Sequence, residues 1–204
     1  MTSEIEPHKT SLAVWDVLSP VVMGRSSKMK VGAKCSAGCS LAGQEIEVHN
    51  ETGVMTANGR LGAAAWPGTS GLYWTELDFI APATDGTHSW TVRFTAEKLE
   101  LPHEAAHSNF SLMIVKPPEH TVTVKVTKQN TETPVQCADV RLGVYRASTD
   151  ETGLAKVELP KGTYDLNVCH TSYETFSKPV EVIKDVTIAI DFVVAVEPEQ
   201  EYWR

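Results

Sequence analysis

The chain has 204 residues, 42% of them hydrophobic and 22% charged, with a formal net charge of −8. That is an ordinary composition for a folded globular protein, long enough for one large domain or two of about 100 residues. The acidic balance argues against nucleic acid or an anionic membrane as partner, and no run of about 18 apolar residues is present to cross a bilayer.

Taken in chain order, the opening MTSEIEPHKT lacks a basic stretch followed by an apolar one, so no secretory leader is expected there. A cytoplasmic setting fits this, and so does an envelope setting after loss of a leader. Alternating hydrophobicity predicts strands at 11–18, 27–35, 44–49, 71–80, 88–95 and 109–115. Turn chemistry separates them at Asn50–Gly53, Asn58-Gly59, Pro67-Gly68 and Thr84-Asp85-Gly86. No stretch holds a 3.6-residue apolar period over three turns, so no helix of consequence is predicted. Closely spaced strands without helices between them predict a sandwich over residues 10–117.

A stiff joint follows at Lys116-Pro117-Pro118-Glu119, where two prolines withhold ladder donors. Short alternating strands resume at once in HTVTVKV, and a second antiparallel sandwich is predicted over 118–195. The predicted class is all-β, two consecutive sandwiches, with 196–204 (including Tyr202-Trp203) as a flexible tail.

Three motifs in the second half carry a resemblance. Pro134-Val135-Gln136-Cys137-Ala138-Asp139-Val140 enters a strand, Thr149-Asp150-Glu151-Thr152-Gly153 turns into the next, and Leu159-Pro160-Lys161-Gly162-Thr163-Tyr164 opens a third. In this order they resemble the transthyretin-like, carboxypeptidase-regulatory-like sandwich family, related to Cna-B repeats, over residues 121–193. Cys137 stands where that family usually has glycine. The resemblance implies scaffolding, spacing or ligand presentation. The fragment GTHSWTVRF, with Trp90, Val92 and Phe94 on one parity, is similar to late strands of immunoglobulin-like and fibronectin-like domains.

Few residues advertise chemistry. His103-Glu104-Ala105-Ala106-His107 spells H-E-x-x-H, which in metalloproteases sets two histidines on one helical face with the glutamate as base. Pro102 before it and a strand-like run after it predict a loop instead, so no catalytic zinc is expected, with His103 and His107 the only metal candidates of that motif. Cys35 and Cys39 form a C-x₃-C pair open to three readings: free thiols, a disulfide across the turn, or a metal knuckle. The last needs two more ligands, from among His49, His103 and His107. Parity places Cys137 and Cys169 outward, and the strand neighbourhood implied by the resemblance makes them a candidate cross-strand disulfide. Trp66, Tyr73 and Trp74 flank a glycine-rich loop able to stack a sugar ring or anchor a peptide. The isopeptide bond of Cna-B repeats is not expected, because Asp191 stands where an Asn is wanted opposite Lys125.

The expectation from sequence is therefore a non-catalytic binding or structural module without cofactor, its protein or saccharide partner unidentified. The alternative is carbohydrate or peptide binding at 66–74; a metal-dependent hydrolase at His103, Glu104 and His107 is remote.

Overall fold

The computed structural model describes residues 6–96 and 99–194; the tail predicted at 196–204 lies outside them. The described residues form strands and turns without a helix, and the chain divides into two compact units, Met1–Val115 and Lys116–Arg204.

The N-terminal unit holds β1 (Thr10–Trp15), β2 (Val21–Val22), β3 (Ser26–Cys35), β4 (Glu45–His49), β5 (Met55–Arg60), β6 (Tyr73–Ile80), β7 (Gly86–Phe94) and β8 (Ala106–Val115). They form two sheets, ordered β1-β3-β6 and β2-β8-β7-β4-β5. All pairs are antiparallel except β2 with β8. Period-2 alternation decides which face is buried. Met29, Val31 and Ala33 of β3 with Leu77 and Phe79 of β6 meet Ile46, Val48, Trp90, Val92, Phe94, Leu112 and Ile114 from the other sheet.

One stretch read as a turn is a strand. Asn58 and Gly59 lie inside β5, opposite Glu47 and Ile46. Glycine is needed there for a close approach and not for a turn, since a Cβ at Gly59 would fall 2.5 Å from Leu77 Cδ2.

The C-terminal unit holds β9 (His120–Lys128), β10 (Asp139–Leu142), β11 (Tyr145–Ser148), β12 (Leu154–Leu159), β13 (Gly162–Cys169), β14 (Phe176–Val182) and β15 (Val186–Phe192). Its sheets run β11-β10-β13-β14 and β12-β9-β15, with β9 and β15 parallel. Val122, Val124 and Val126 of β9 are fully buried against Val140, Leu142, Leu166 and Val168. Each such side chain contributes roughly 1.5–3 kcal/mol of burial free energy. The buried Thr149 hydroxyl accepts the Ala138 N–H at 2.8 Å and donates to the Val135 carbonyl at 2.7 Å, so neither backbone group is left unpaired.

The same turn recurs in each unit, closing the β4–β5 hairpin in the first and carrying the chain from β11 in one sheet to β12 in the other in the second. Asn50 Oδ1 accepts the N–H groups of Thr52 and Val54 at 3.1 and 2.9 Å and the Thr52 hydroxyl at 2.8 Å. Asp150 Oδ1 does the same for Thr152 N–H, Leu154 N–H and the Thr152 hydroxyl at 2.8, 3.0 and 2.7 Å. Only the second turn is held by a titratable side chain, since Asn50 carries no ionisable group. The Thr152 hydroxyl, then the Leu154 and Thr152 N–H groups, hold the Asp150 carboxyl below the ordinary carboxylate value. A folded-state value below the unfolded one stabilises the protein above about pH 4 and is lost as pH falls through the folded value. Replacing Asp150 by Asn, the residue at position 50, is thus expected to make the acid-side fall in thermal midpoint shallower. It should not abolish the fall. Burial pushes Asp139 up, but Arg146 and Arg141 hold it below its ordinary value, so it titrates with the same sign. An acid limb as steep in D150N as in wild type would refute the turn's share.

Candidate functional site

At one end of the N-terminal sandwich, three segments distant in sequence converge. His8 forms a parallel bridge with His103, its N–H donating to Pro102 O and its carbonyl accepting the Glu104 N–H, both at 2.9 Å. Cys35 is the last residue of β3, opposite Thr10 of β1, and the Ser36 N–H donates to Lys9 O at 2.9 Å. The chain then turns through Gly38, whose φ of 76° suits a residue without a side chain, and delivers Cys39 back toward Cys35.

One donor atom from each of His8, Cys35, Cys39 and His103 lies within 4.8 Å of all the others. Cys35 is buried and the other three are partly buried. His8 Nδ1 is 3.2 Å from Cys39 Sγ. His103 Nδ1 is 2.7 Å from the Leu101 carbonyl, to which it donates, while Nε2 is buried without a hydrogen-bond partner among the described residues. Burial raises the Cys35 thiol, yet the Cys39 and Ala37 N–H groups, with the Cys39 and His103 side chains, bring it below its usual value. The Ala37 N–H stands 3.3 Å from Cys35 Sγ. Cys39 is pushed up, first by burial and then by Cys35. A cavity of about 380 Å³ opens beside the group, lined by Cys39, Ser40, Leu99, Glu100, Leu101 and His103.

The H-E-x-x-H spelling does not act as a unit. No helical turn forms there: His103 lies in an isolated bridge and Ala106 and His107 in β8, and His107 is not among the donor atoms gathered around His103. His107 lies exposed on β8 opposite Arg93, over a shallow groove with Thr91 and Asn109. Glu104 is exposed, and its carbonyl accepts the Thr10 hydroxyl. His49 pairs with Glu47 at 2.8 Å. Of the ligands considered from sequence, Cys35, Cys39 and His103 meet; the fourth, His8, was missed, and only its proximity to a strand start could have pointed to it.

The candidate Cys137–Cys169 bridge is absent from the structure, in which all four cysteines are free. β10 and β13 are antiparallel neighbours, but their register sets Cys169 opposite Asp139, two residues beyond Cys137. The Cys169 thiol donates to Asp139 at 3.8 Å, and Cys137 sits at φ 60° before the strand begins. That left-handed conformation is one that a residue without a side chain adopts more readily than cysteine does.

The aromatic residues separate. Tyr73 turns inward and packs on the core. Trp74 faces outward and meets Trp66 at 4.8 Å and Trp15, unforeseen from sequence, at 6.5 Å between ring centroids; Trp15 and Trp66 are 5.2 Å apart. Lys30 Nζ lies 5.1 Å from the Trp66 ring and 2.6 Å from Asp16. Gly32 makes room, because a Cβ there would meet Trp15 and Leu72 at 3.1 and 3.0 Å. The loop is folded on itself: Trp66 N–H donates to Leu72 O at 2.7 Å, and the Thr69 hydroxyl donates to Trp66 O at 2.7 Å.

No protein-family model and no curated protein matches the chain. Solved structures that it resembles include a CARDB domain from Pyrococcus furiosus, at 13% identity and TM-score 0.40 over 54% of this chain and 98% of that one. The major pilin subunit of Bacillus cereus matches at 10% identity and TM-score 0.34, over 93% of this chain and 71% of that one. Fibronectin(III)-like modules of Clostridium thermocellum CbhA match at 8% identity and TM-score 0.33, over 88% and 95%.

Proposed function

We propose that the chain is a non-catalytic module of two β-sandwiches that presents a saccharide-binding face. The outward indole cluster of Trp15, Trp66 and Trp74 carries this reading. These rings lie on the outer side of β1-β3-β6, opposite the core face, and Trp66 is brought to them by a hydrogen-bonded loop. Indole faces beside polar groups suit the apolar face and hydroxyl rim of a sugar ring. Lys28, Lys30 and Lys34 alternate along β3 on the same side, and Lys34 Nζ reaches the Ser70 hydroxyl at 3.1 Å. Asp16 and Glu76 pair with Lys30 and Lys28, which keeps the face polar without a strong net charge.

For the C-terminal unit, the reading as a transthyretin-like spacer is supported by the neighbourhood of β10 and β13 and by the positive φ at Cys137. Lys125 is exposed and Asp191 accepts the Thr127 hydroxyl at 2.7 Å, so an internal isopeptide plays no part in the proposal.

Affinity electrophoresis through gels containing soluble polysaccharides tests the proposal. Wild-type protein is expected to be retarded by at least one of them, and W66A to lose the retardation while keeping its thermal midpoint within a few degrees. Retardation unchanged in W66A would remove the indole cluster from the site. Retention of an aromatic or proline-rich peptide in place of any polysaccharide would transfer the face to peptide recognition.

A further inference from the structure

We propose that His8, Cys35, Cys39 and His103 hold one structural zinc ion that ties the N-terminal segment and the 99–105 loop to the end of β3. Bond lengths of about 2.3 Å to sulfur and 2.0 Å to nitrogen give a tetrahedron with ligand-to-ligand edges of roughly 3.3–3.8 Å. The four donor atoms already lie within 4.8 Å of one another, and the His8–Cys39 edge is 3.2 Å. Adjusting these edges by a few tenths of an ångström to at most about 1.5 Å completes the polyhedron.

The histidine arrangement points the same way. His103 Nδ1 donates to the Leu101 carbonyl, which fixes the tautomer and leaves the Nε2 lone pair free. That Nε2 is buried with no hydrogen bond among the described residues, an arrangement that is costly unless something accepts the lone pair. A backbone carbonyl on the far ring nitrogen is the usual outer support of a ligating histidine. At Cys35 the Ala37 N–H, 3.3 Å from Sγ, supplies the corresponding support for a thiolate.

The competing chemistry is a Cys35–Cys39 disulfide. It would use both sulfurs and leave His103 Nε2 buried and unmatched, so it explains less of the geometry. Two thiolates and two imidazoles at tetrahedral spacing select zinc among common divalent ions. With four protein ligands no coordination position is left for water, so the ion's role is mechanical and not hydrolytic. The adjoining cavity gives the ion an entry path.

Cobalt(II) is the probe, added to reduced, metal-free full-length protein. The expected result is one cobalt per chain, with the intense visible bands of tetrahedral coordination and a thiolate charge-transfer band, both removed by zinc. C39S and H103N are each expected to weaken cobalt binding more than about tenfold, the scale at which even outer-shell changes act. C137S and C169S should leave the spectrum intact. Cys35 is buried, so C35S risks misfolding, and the decision rests on H103N and C39S with metal-free thermal unfolding as the control. A purely structural role for His103 would lower metal-free stability without bleaching the cobalt bands. A weak octahedral spectrum, a spectrum surviving both C39S and H103N, or no cobalt uptake after full reduction would each overturn the assignment.

Discussion

Replacing Gly153 by Ala is expected to destabilise the C-terminal unit by about 2–4 kcal/mol, while Gly53→Ala costs its own unit only about 1 kcal/mol. The two glycines close the same turn, at φ 73° and 78°, and each N–H donates at 2.9 Å to the carbonyl of the turn's first residue. The left-handed penalty is therefore common to both. Their surroundings differ. A Cβ at Gly53 meets nothing within 4 Å, whereas one at Gly153 would lie 2.5 Å from the Val126 carbonyl oxygen and 3.0 Å from Pro134 Cβ. That oxygen has little freedom to yield. Val126 N–H donates to Gly153 O at 2.8 Å, and Val126 O accepts the Val135 N–H at 3.0 Å, so the peptide groups on either side of the Val126 Cα are both pinned. Urea unfolding followed by amide NMR signals reports each unit separately. Equal losses in the two variants would mean that β9 moves aside at little cost, and the close approach would not be what requires glycine at 153.

That pair of turns shows how far a sequence can be read. Asn50–Gly53 and Asp150–Gly153 were both recognisable as turns, because an Asx residue followed by glycine three positions later is a local signal. Nothing local distinguishes a glycine facing open space from one facing a carbonyl. The same limit appears at Asn58-Gly59, where the dipeptide of a turn sits inside β5 because Leu77 approaches from β6. Which face of each strand is buried was legible, since parity is a property of one strand: Val140, Leu142, Leu166 and Val168 are all fully buried. Register was not, since it belongs to two strands at once, and a shift of two residues places Asp139 opposite Cys169 where Cys137 was expected.

The candidate metal centre divides in the same way. Cys35 and Cys39 are close in sequence and could be paired on spacing alone. His103 was one of three histidines that could complete the cysteine pair, and nothing local separated it from His49 or from its motif neighbour His107, which lies on β8. His8 enters through a single bridge to His103, a contact between distant segments that no periodicity encodes. Trp15 joins Trp66 and Trp74 likewise through the pairing of β1 and β6 on either side of β3.

Trp90→Ala is expected to have the largest effect of any substitution considered, about 3–5 kcal/mol in the N-terminal unit. Trp90 is 1% exposed on β7 and links both sheets, with Phe79 of β6 at 5.2 Å and its cross-strand neighbour Phe110 of β8 at 6.2 Å, both edge-to-face. Its Nε1–H is buried with no acceptor among the described residues. Two contributions of opposite sign therefore meet in one side chain: ring packing favours the indole, and the desolvated donor costs about 1–3 kcal/mol. Trp90→Phe separates them. Phenylalanine keeps most of the edge-to-face packing and removes the unmatched donor, so its net cost is expected to stay below about 1.5 kcal/mol. Urea unfolding monitored by far-ultraviolet circular dichroism suits both variants, since it does not depend on the fluorophore being replaced. If W90F were as unstable as W90A, the missing nitrogen would be the cause, and the indole N–H would have to be counted among the groups that hold the sandwich together.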